Sequence, residues 1–168
     1  MERELRDLYD FDGNITTKTY HKGDAVPQGY YPMVVAMIIE NSKGDILLQI
    51  RSQQKGGYLA VTGGHPKSGE SPEQGLITEV MEEIGVDISQ DELVKFDEGC
   101  DGKDCFKFYH ILKEVDIEKC QLQEEEVSDL VWVPAAKLRE MYDEGELQEN
   151  QYYFFKRFYD YLEKRKNN

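Results

Sequence analysis

An α/β fold is predicted for this chain by three features of its sequence. Two apolar, β-branched runs at 33–40 and 45–51 are separated by the polar segment 41–44, which is the pattern of two strands joined by a tight turn. A helix with apolar residues along one side is predicted at 71–85. A second helix, with a stripe of aromatic residues, is predicted at about 149–166.

The helix at 71–85 has a signal at each end. Ser71 is suited to the N-cap, Pro72 to the first helical position, and Gln74 completes a capping box. Gly85 is suited to end the helix. At about 100° per residue, the apolar side chains share one side of this helix and the glutamates share the other. The glutamates are Glu79, Glu82 and Glu83.

The acidic side of this helix has two possible explanations. Carboxylates at i, i+3 and i+4 repel one another by a few tenths of a kcal/mol per pair, and Glu70 precedes them in the loop. A hard divalent cation would compensate, because Mg²⁺ and Mn²⁺ prefer oxygen ligands. A solvated acidic surface is the alternative, and it is the commoner explanation when such a pattern occurs alone.

The glycines around the helix decide between these explanations, because residues 64–86 resemble the Nudix box, G-x5-E-x7-R-E-U-x-E-E-x-G-U, where U is aliphatic. Besides the aliphatic positions, which Val80 and Val86 occupy, the box has seven fixed residues. Six of the seven are present at the correct spacing. These six are Gly64, Glu70, Glu79, Glu82, Glu83 and Gly85. The arginine position is occupied by Thr78.

This resemblance implies a Nudix-type α/β/α sandwich with a mixed β-sheet. It implies a single domain over 1–168, with an N-terminal hairpin at about 4–20 and the aromatic helix near the C-terminus. The implied activity is hydrolysis, with Mg²⁺ or Mn²⁺, of the diphosphate bond in a nucleoside diphosphate linked to another moiety.

The resemblance also implies roles for individual residues. Metal ligands and catalytic groups are expected among the box glutamates, with the Gly63 carbonyl as a further ligand: Gly63, Glu79, Glu82 and Glu83. Many family members place a further catalytic or metal-binding glutamate on a loop outside the box. The first candidates for it are Glu126 and Glu125, and Glu98 is next. Substrate binding is expected from two residues before the box and one within it, namely Arg51, Lys55 and His65.

Thr78 makes a second function possible. In the family the arginine is understood to hold the acidic residues in place, since a guanidinium orients carboxylates and favours their charged form. Threonine does neither at full strength, so we expect weaker metal binding, slower turnover, or a compensating cation such as Arg51 or Lys67. A catalytically silent sensor of a nucleotide or metabolite is the alternative function.

A minor alternative comes from the loop that starts the box. Gly64-His65-Pro66 also resembles a loop of isopentenyl-diphosphate isomerase, in which this histidine binds metal and a cysteine two positions earlier performs proton chemistry. The corresponding position is Gly63 here, and glycine has no proton to give. This absence argues against isomerase activity.

Composition narrows the possible partners and location. The net charge of −14 argues against nucleic acid and anionic membranes as partners, but it is compatible with a small diphosphate substrate whose metal reverses the local field. A homodimer is a possible assembly.

No apolar run approaches the roughly 20 residues of a membrane span. The odd cysteine count predicts free thiols at Cys100, Cys105 and Cys120, and hence a cytoplasmic location.

Overall fold

The computed structural model of the chain describes residues 2–167. Within that range the chain forms a two-stranded sheet, a seven-stranded sheet and three α-helices. The strands are β1 (Leu5–Tyr9), β2 (Ile15–His21), β3 (Met33–Glu40), β4 (Asp45–Arg51), β5 (Leu59–Ala60), β6 (Thr62–Gly64), β7 (Val94–Cys100), β8 (Cys105–Leu112) and β9 (Val127–Pro134). The helices are α1 (Pro72–Ile84), α2 (Ala135–Asp143) and α3 (Tyr152–Lys166).

The larger sheet is mixed, as predicted. Its main order is β5-β4-β3-β8-β7, with β6 paired to β3 and β9 paired to β4. The β3–β8 pair is parallel and the other pairs are antiparallel. The predicted β3–β4 hairpin is present, but the two strands pair only at Ile39–Leu47 and Glu40–Ile46. Beyond that point β6 and β9 take over the pairing, so the glycines of β6 lie beside the centre of the sheet.

Helices cover both faces of this sheet, which confirms the predicted α/β/α sandwich. Alternate residues of β3 point to opposite faces, so Val35 packs on the α1 side and Ile38 on the α3 side. The α1 side is filled by Leu76, Val80 and Ile84. The α3 side is filled by Phe154, Phe155 and Phe158. Each such buried side chain contributes about 2 kcal/mol to folding, and the two cores hold α1 and α3 against the sheet.

Helix α1 begins and ends where its sequence predicts. The Gln74 amide N–H donates to Ser71 Oγ at 3.1 Å, and the Ser71 amide N–H donates to Gln74 Oε1 at 2.9 Å, which completes the capping box. Gly85 has φ of 69° and donates to the Met81 carbonyl. A Cβ at Gly85 would lie 2.8 Å from the Gln121 nitrogen, so glycine is needed there for space as well as for conformation.

The prediction of three free thiols is wrong. Cys100 and Cys105 are directly opposite each other in the β7–β8 hairpin and form a disulfide. Counting cysteines did not reveal this pair, because the pairing depends on the register of the two strands. Cys120 is a free cysteine. None of the helices within residues 2–167 combines the length and the apolar character that a membrane crossing requires.

Candidate active site

A cavity of about 370 Å³ lies beside the acidic side of α1, and we call it the acidic cavity. Its wall includes the three glutamates of α1, Glu79, Glu82 and Glu83. It also includes Glu126, Gly63, Gly64 and Arg51. The N-terminal hairpin β1–β2 and its flanks add Glu4, Arg6 and Lys22. The fold therefore brings distant parts of the chain to one site.

Glu79 lies against the glycine loop. A Cβ at Gly64 would lie 2.7 Å from the Glu79 carboxyl carbon, so this approach requires glycine. Burial raises the pKa of Glu79 to about 7, and repulsion from Glu83 and Glu82 acts in the same direction. At neutral pH this carboxyl group is therefore poised between its acid and its carboxylate.

Glu83 is the most buried of the box glutamates, with 5% of its surface exposed. Its Oε1 accepts from Arg51 Nη1 at 3.2 Å, whereas its Oε2 is buried and has no hydrogen-bond partner within residues 2–167. Burial raises the pKa of Glu83 to about 7, although the Arg51 charge opposes this shift. A buried carboxylate oxygen without a donor costs on the order of 1–3 kcal/mol, so this atom is a candidate to bind an ion or a water molecule.

Two further glutamates complete the acidic wall. Glu82 is about half exposed, and its carboxylate lies 3.4 Å from Lys67 Nζ. Glu126 accepts from Arg51 Nη2 at 2.7 Å and lies 3.5 Å from Lys55 Nζ. Lys55 contacts Glu126 without lining the cavity.

Of the three glutamates considered outside the box, the structure brings Glu126 to the cavity. Glu125 contributes its main-chain carbonyl to contacts with Ser52 and Gln54, and its side chain is exposed. Glu98 lies on β7, where it pairs with Lys95, and it lines neither of the cavities described here. Sequence alone could not rank these residues, because their distance from the box depends on the β4–β9 pairing.

Thr78, at the position of the box arginine, makes a single hydrogen bond that is weaker than the ion pair an arginine would form. Thr78 Oγ1 donates to Glu70 Oε2 at 2.9 Å, and Glu70 Oε1 accepts from the Lys67 amide at 2.8 Å. The cations beside the other acidic residues come from outside the helix, since Arg51 contacts Glu83 and Lys67 contacts Glu82. The acidic wall therefore has partial charge compensation without an arginine at position 78.

Gly63 and His65 lie where the acidic cavity meets a second cavity. Burial lowers the pKa of His65 to about 4, and the nearby charge of Arg6 adds to this effect, so the imidazole is neutral at neutral pH. A Cβ at Gly63 would overlap the Val35 carbonyl oxygen. This position cannot hold the cysteine that the isomerase reaction requires without a shift of β3.

The donors of the acidic cavity fit a hard divalent cation. Within residues 2–167, no group of three or more His, Cys, Asp or Glu side chains is arranged so that it could hold a metal ion by itself. Mg²⁺, however, is commonly held by one or two carboxylates together with water and substrate phosphates. Glu83 Oε2 is buried and has no hydrogen-bond partner within residues 2–167, and at Glu79 burial and the neighbouring glutamates outweigh the charge of Lys67. A bound cation would therefore stabilise the charged form of both carboxyl groups.

The second cavity, of about 600 Å³, lies on the α3 side of the sheet, and we call it the aromatic cavity. It shares Arg51, Gly63, Gly64 and His65 with the acidic cavity. Its apolar wall includes Tyr58, Phe106, Phe108, Tyr153 and Phe154. Its polar wall includes Asp101, Lys103, Asp104, Asn150 and Gln151. A flat group with hydrogen-bonding edges matches this combination of surfaces.

The family model for the NUDIX domain matches residues 30–158. The chain belongs to the Nudix hydrolase family. An uncharacterized Nudix hydrolase of Listeria innocua is 32% identical to it in an alignment of 150 residues that covers 83% of this chain and 85% of the relative. The resemblance of the box is thus confirmed over most of the chain, and hydrolysis of acid anhydrides is the general activity of the family.

Solved structures share the fold of this Nudix chain. DR0079 from Deinococcus radiodurans superposes with a TM-score of 0.68 at 21% identity, covering 84% of this chain and 90% of the other. The NUDIX domain of Shewanella oneidensis NrtR, in complex with ADP ribose, superposes with a TM-score of 0.60 at 19% identity, covering 85% and 94%. At these identities the likeness concerns the fold alone.

Sequence reasoning missed the residues that the N-terminal hairpin brings to this Nudix site. Glu4, Arg6 and Lys22 line the acidic cavity although they lie before residue 30, where the family match begins. No motif marks them, because the contact between the hairpin and the box is formed only in the folded chain.

Proposed function

We propose that this Nudix domain hydrolyses the diphosphate bond of a nucleoside diphosphate linked to another moiety, using Mg²⁺ or Mn²⁺. The observation that carries the proposal is the meeting of the two cavities at Gly63, Gly64 and His65. A diphosphate in the acidic cavity would place an attached nucleoside or other flat group beside the aromatic wall. The ADP ribose held by the Shewanella domain is a ligand of this class.

Different residues of the acidic cavity would have different roles in the reaction. Glu82 and Glu83 would hold the metal together with the Gly63 carbonyl, and Glu79 would accept the proton of the attacking water. A carboxyl group with a pKa near neutrality is suited to that role, because the fraction that is ionised and its affinity for the proton are both substantial. Bound Mg²⁺ or Mn²⁺ supplies neutralisation of the diphosphate charge and activation of water.

Arg51 and Glu126 would position these groups. Arg51 contacts Glu83 through Nη1 and Glu126 through Nη2, and these contacts would fix the Glu83 carboxylate in its place. Neutral His65 at the junction of the cavities is available for a hydrogen bond to substrate. Lys55 acts on the site through Glu126, since Glu126 is the group it contacts.

A product assay with the purified chain tests the proposal. We expect AMP and ribose phosphate to be released from ADP ribose, or the corresponding monophosphates from a nucleotide sugar, only when Mg²⁺ or Mn²⁺ is present. Glu83→Gln should reduce the rate by at least roughly a hundredfold, because it removes the buried anionic ligand but keeps its shape. Glu98→Gln is the matched control and should keep the rate. If neither metal supports cleavage of any diphosphate in such a panel, the proposal is wrong.

A further inference from the structure

The hairpin formed by β1 and β2 lies outside the residues that the family model matches, yet it forms part of the wall of the acidic cavity. It is attached directly to the loop that precedes α1. The Ser68 amide donates to the Leu5 carbonyl at 2.8 Å, and Ser68 Oγ donates to Asp7 Oδ1 at 2.7 Å. The Gly69 amide donates to Asp7 Oδ2 at 3.0 Å. These bonds fix the hairpin beside the box.

The hairpin places two cations on one face. Arg6 is paired with Tyr20 across the two strands, and the Lys22 amide donates to the Glu4 carbonyl at 2.8 Å. Side chains at alternate positions share a face of a sheet, so Arg6 and Lys22 point to the same side. Both of them line the acidic cavity.

Arg6 is held in a defined orientation. Its Nε–H donates to Glu4 Oε2 at 2.6 Å, and its side chain is 12% exposed. A guanidinium fixed through Nε keeps further N–H donors, whose planar arrangement fits two oxygens of one phosphate.

The other cations near the cavity are already occupied by carboxylates. Arg51 contacts Glu83 and Glu126, and Lys67 contacts Glu82. Lys22, in contrast, has no carboxylate partner within 4.0 Å among residues 2–167. A cation that lines a cavity without an ion-pair partner is free to bind an anion from solution.

We propose that Arg6 and Lys22 bind phosphate oxygens of the substrate's diphosphate group, so that the N-terminal hairpin is part of the substrate site. The inference rests on the proposed function, because it requires a diphosphate in the acidic cavity. In that arrangement the box glutamates would hold the metal ion beside the reacting phosphorus. The hairpin binds the charge of the neighbouring phosphate.

Binding of inorganic pyrophosphate to the full chain tests the inference without any turnover. In calorimetry at low salt with Mg²⁺, Arg6→Gln and Lys22→Gln should each weaken pyrophosphate binding by about tenfold or more, since each removes charge-assisted hydrogen bonds. Lys18→Gln is the control, because Lys18 is an exposed cation on β2 that does not line the cavity. Its affinity for pyrophosphate should stay within about twofold of the wild-type value.

Steady-state kinetics with a diphosphate substrate that the chain hydrolyses give a second measurement. Loss of a contact that is equal in the ground state and the transition state raises KM and leaves kcat nearly unchanged, and this is the pattern expected for Lys22→Gln. Arg6→Lys should restore part of the affinity that Arg6→Gln loses. If circular dichroism shows that Arg6→Gln is unfolded, the pyrophosphate affinity of Lys22→Gln tests the inference instead. The Lys22 side chain is exposed and has no ion-pair partner among residues 2–167, so its replacement should leave the fold intact.

Pyrophosphate affinity equal to that of the wild type in both Gln variants would overturn the inference. This outcome is separate from failure of the proposed function. A wild-type chain that binds pyrophosphate through the hairpin but cleaves no diphosphate bond would contradict the hydrolase proposal and support the hairpin site. A chain that cleaves its substrate equally well in all variants would contradict the hairpin site alone.

Discussion

Arg51, the last residue of β4, donates to Glu83 of α1 at 3.2 Å and to Glu126 at 2.7 Å. This contact joins the sheet to the helix of the box and gives Glu83 a cationic partner from outside that helix. The two carboxylates are distant from each other in sequence, and the pairing of β4 with β9 brings Glu126 to the same guanidinium. One cation thereby compensates for two acidic side chains in a partly buried site.

Removing this cation should destabilise the metal-free chain. Arg51→Gln leaves the buried carboxylate of Glu83 without its partner, and we expect the free energy of unfolding to fall by about 2 kcal/mol. Urea denaturation at neutral pH measures this change. Arg139→Gln removes an exposed pair with Asp143 and should change stability by less than about 0.5 kcal/mol. Equal effects of the two substitutions would show that the Arg51 contact is no stronger than a surface pair.

The raised pKa values of Glu79 and Glu83 predict that the contribution of these two groups to the stability of the metal-free chain falls as pH rises. Each folded-state pKa is about 7 against an ordinary value of 4.5, so the folded chain holds protons that the unfolded chain releases. Their contribution to stability is complete below about pH 4.5 and is lost as pH rises through about 7. Midpoints of urea denaturation, measured in EDTA between about pH 5 and pH 8, test the direction of this change in stability.

A double variant separates the contribution of Glu79 and Glu83 to the pH dependence of stability from the contributions of the other titratable groups. Glu79→Gln combined with Glu83→Gln should flatten the fall in stability over this range of pH, and Glu98→Gln should leave it unchanged. Addition of Mg²⁺ should raise the midpoint of the wild-type chain at the alkaline end, because a ligand that binds only the folded state stabilises it. The same dependence of the midpoint on pH in the wild type and in the double variant would contradict the assignment, because the lowered pKa of His65 acts equally in both.

Thr78→Arg distinguishes an enzyme adapted to threonine from a silent sensor. Because Arg51 and Lys67 already contact the acidic wall, an adapted enzyme should keep its rate or lose part of it. A silent sensor should instead gain metal-dependent hydrolysis or tighter Mn²⁺ binding. Thr78→Val is the control, since it removes only the hydrogen bond to Glu70. Product release and Mn²⁺ titration are measured on both variants.

Gly64→Ala should impair the site through Glu79. The added Cβ would lie 2.7 Å from the Glu79 carboxyl carbon, so that carboxyl group must move. We expect the rate of metal-dependent hydrolysis to fall by about tenfold or more while circular dichroism stays unchanged. Combining Gly64→Ala with Glu79→Gln should cost no more than Glu79→Gln alone. Additive losses would mean that Gly64 acts through another contact.

Local signals in the sequence were sufficient for the central helix and for the main strands. The cap formed by Ser71 and Gln74 and the glycine at position 85 act over a few residues, and the structure shows them in these roles. The mixed sheet and the helix on each face were implied by the box and are confirmed. The roles of Glu79, Glu82 and Glu83 as ligands and catalytic groups remain predictions.

The sequence by itself determined the helix that carries the acidic residues, because capping and helical periodicity depend only on neighbours along the chain. Only the tertiary structure decided which other residues join them. Strand pairing placed Glu126 and Arg51 at the box, attachment of the hairpin brought Arg6 and Lys22, and hairpin register joined Cys100 to Cys105. Such contacts link residues far apart in sequence or depend on exact register, and no short pattern in the chain encodes them.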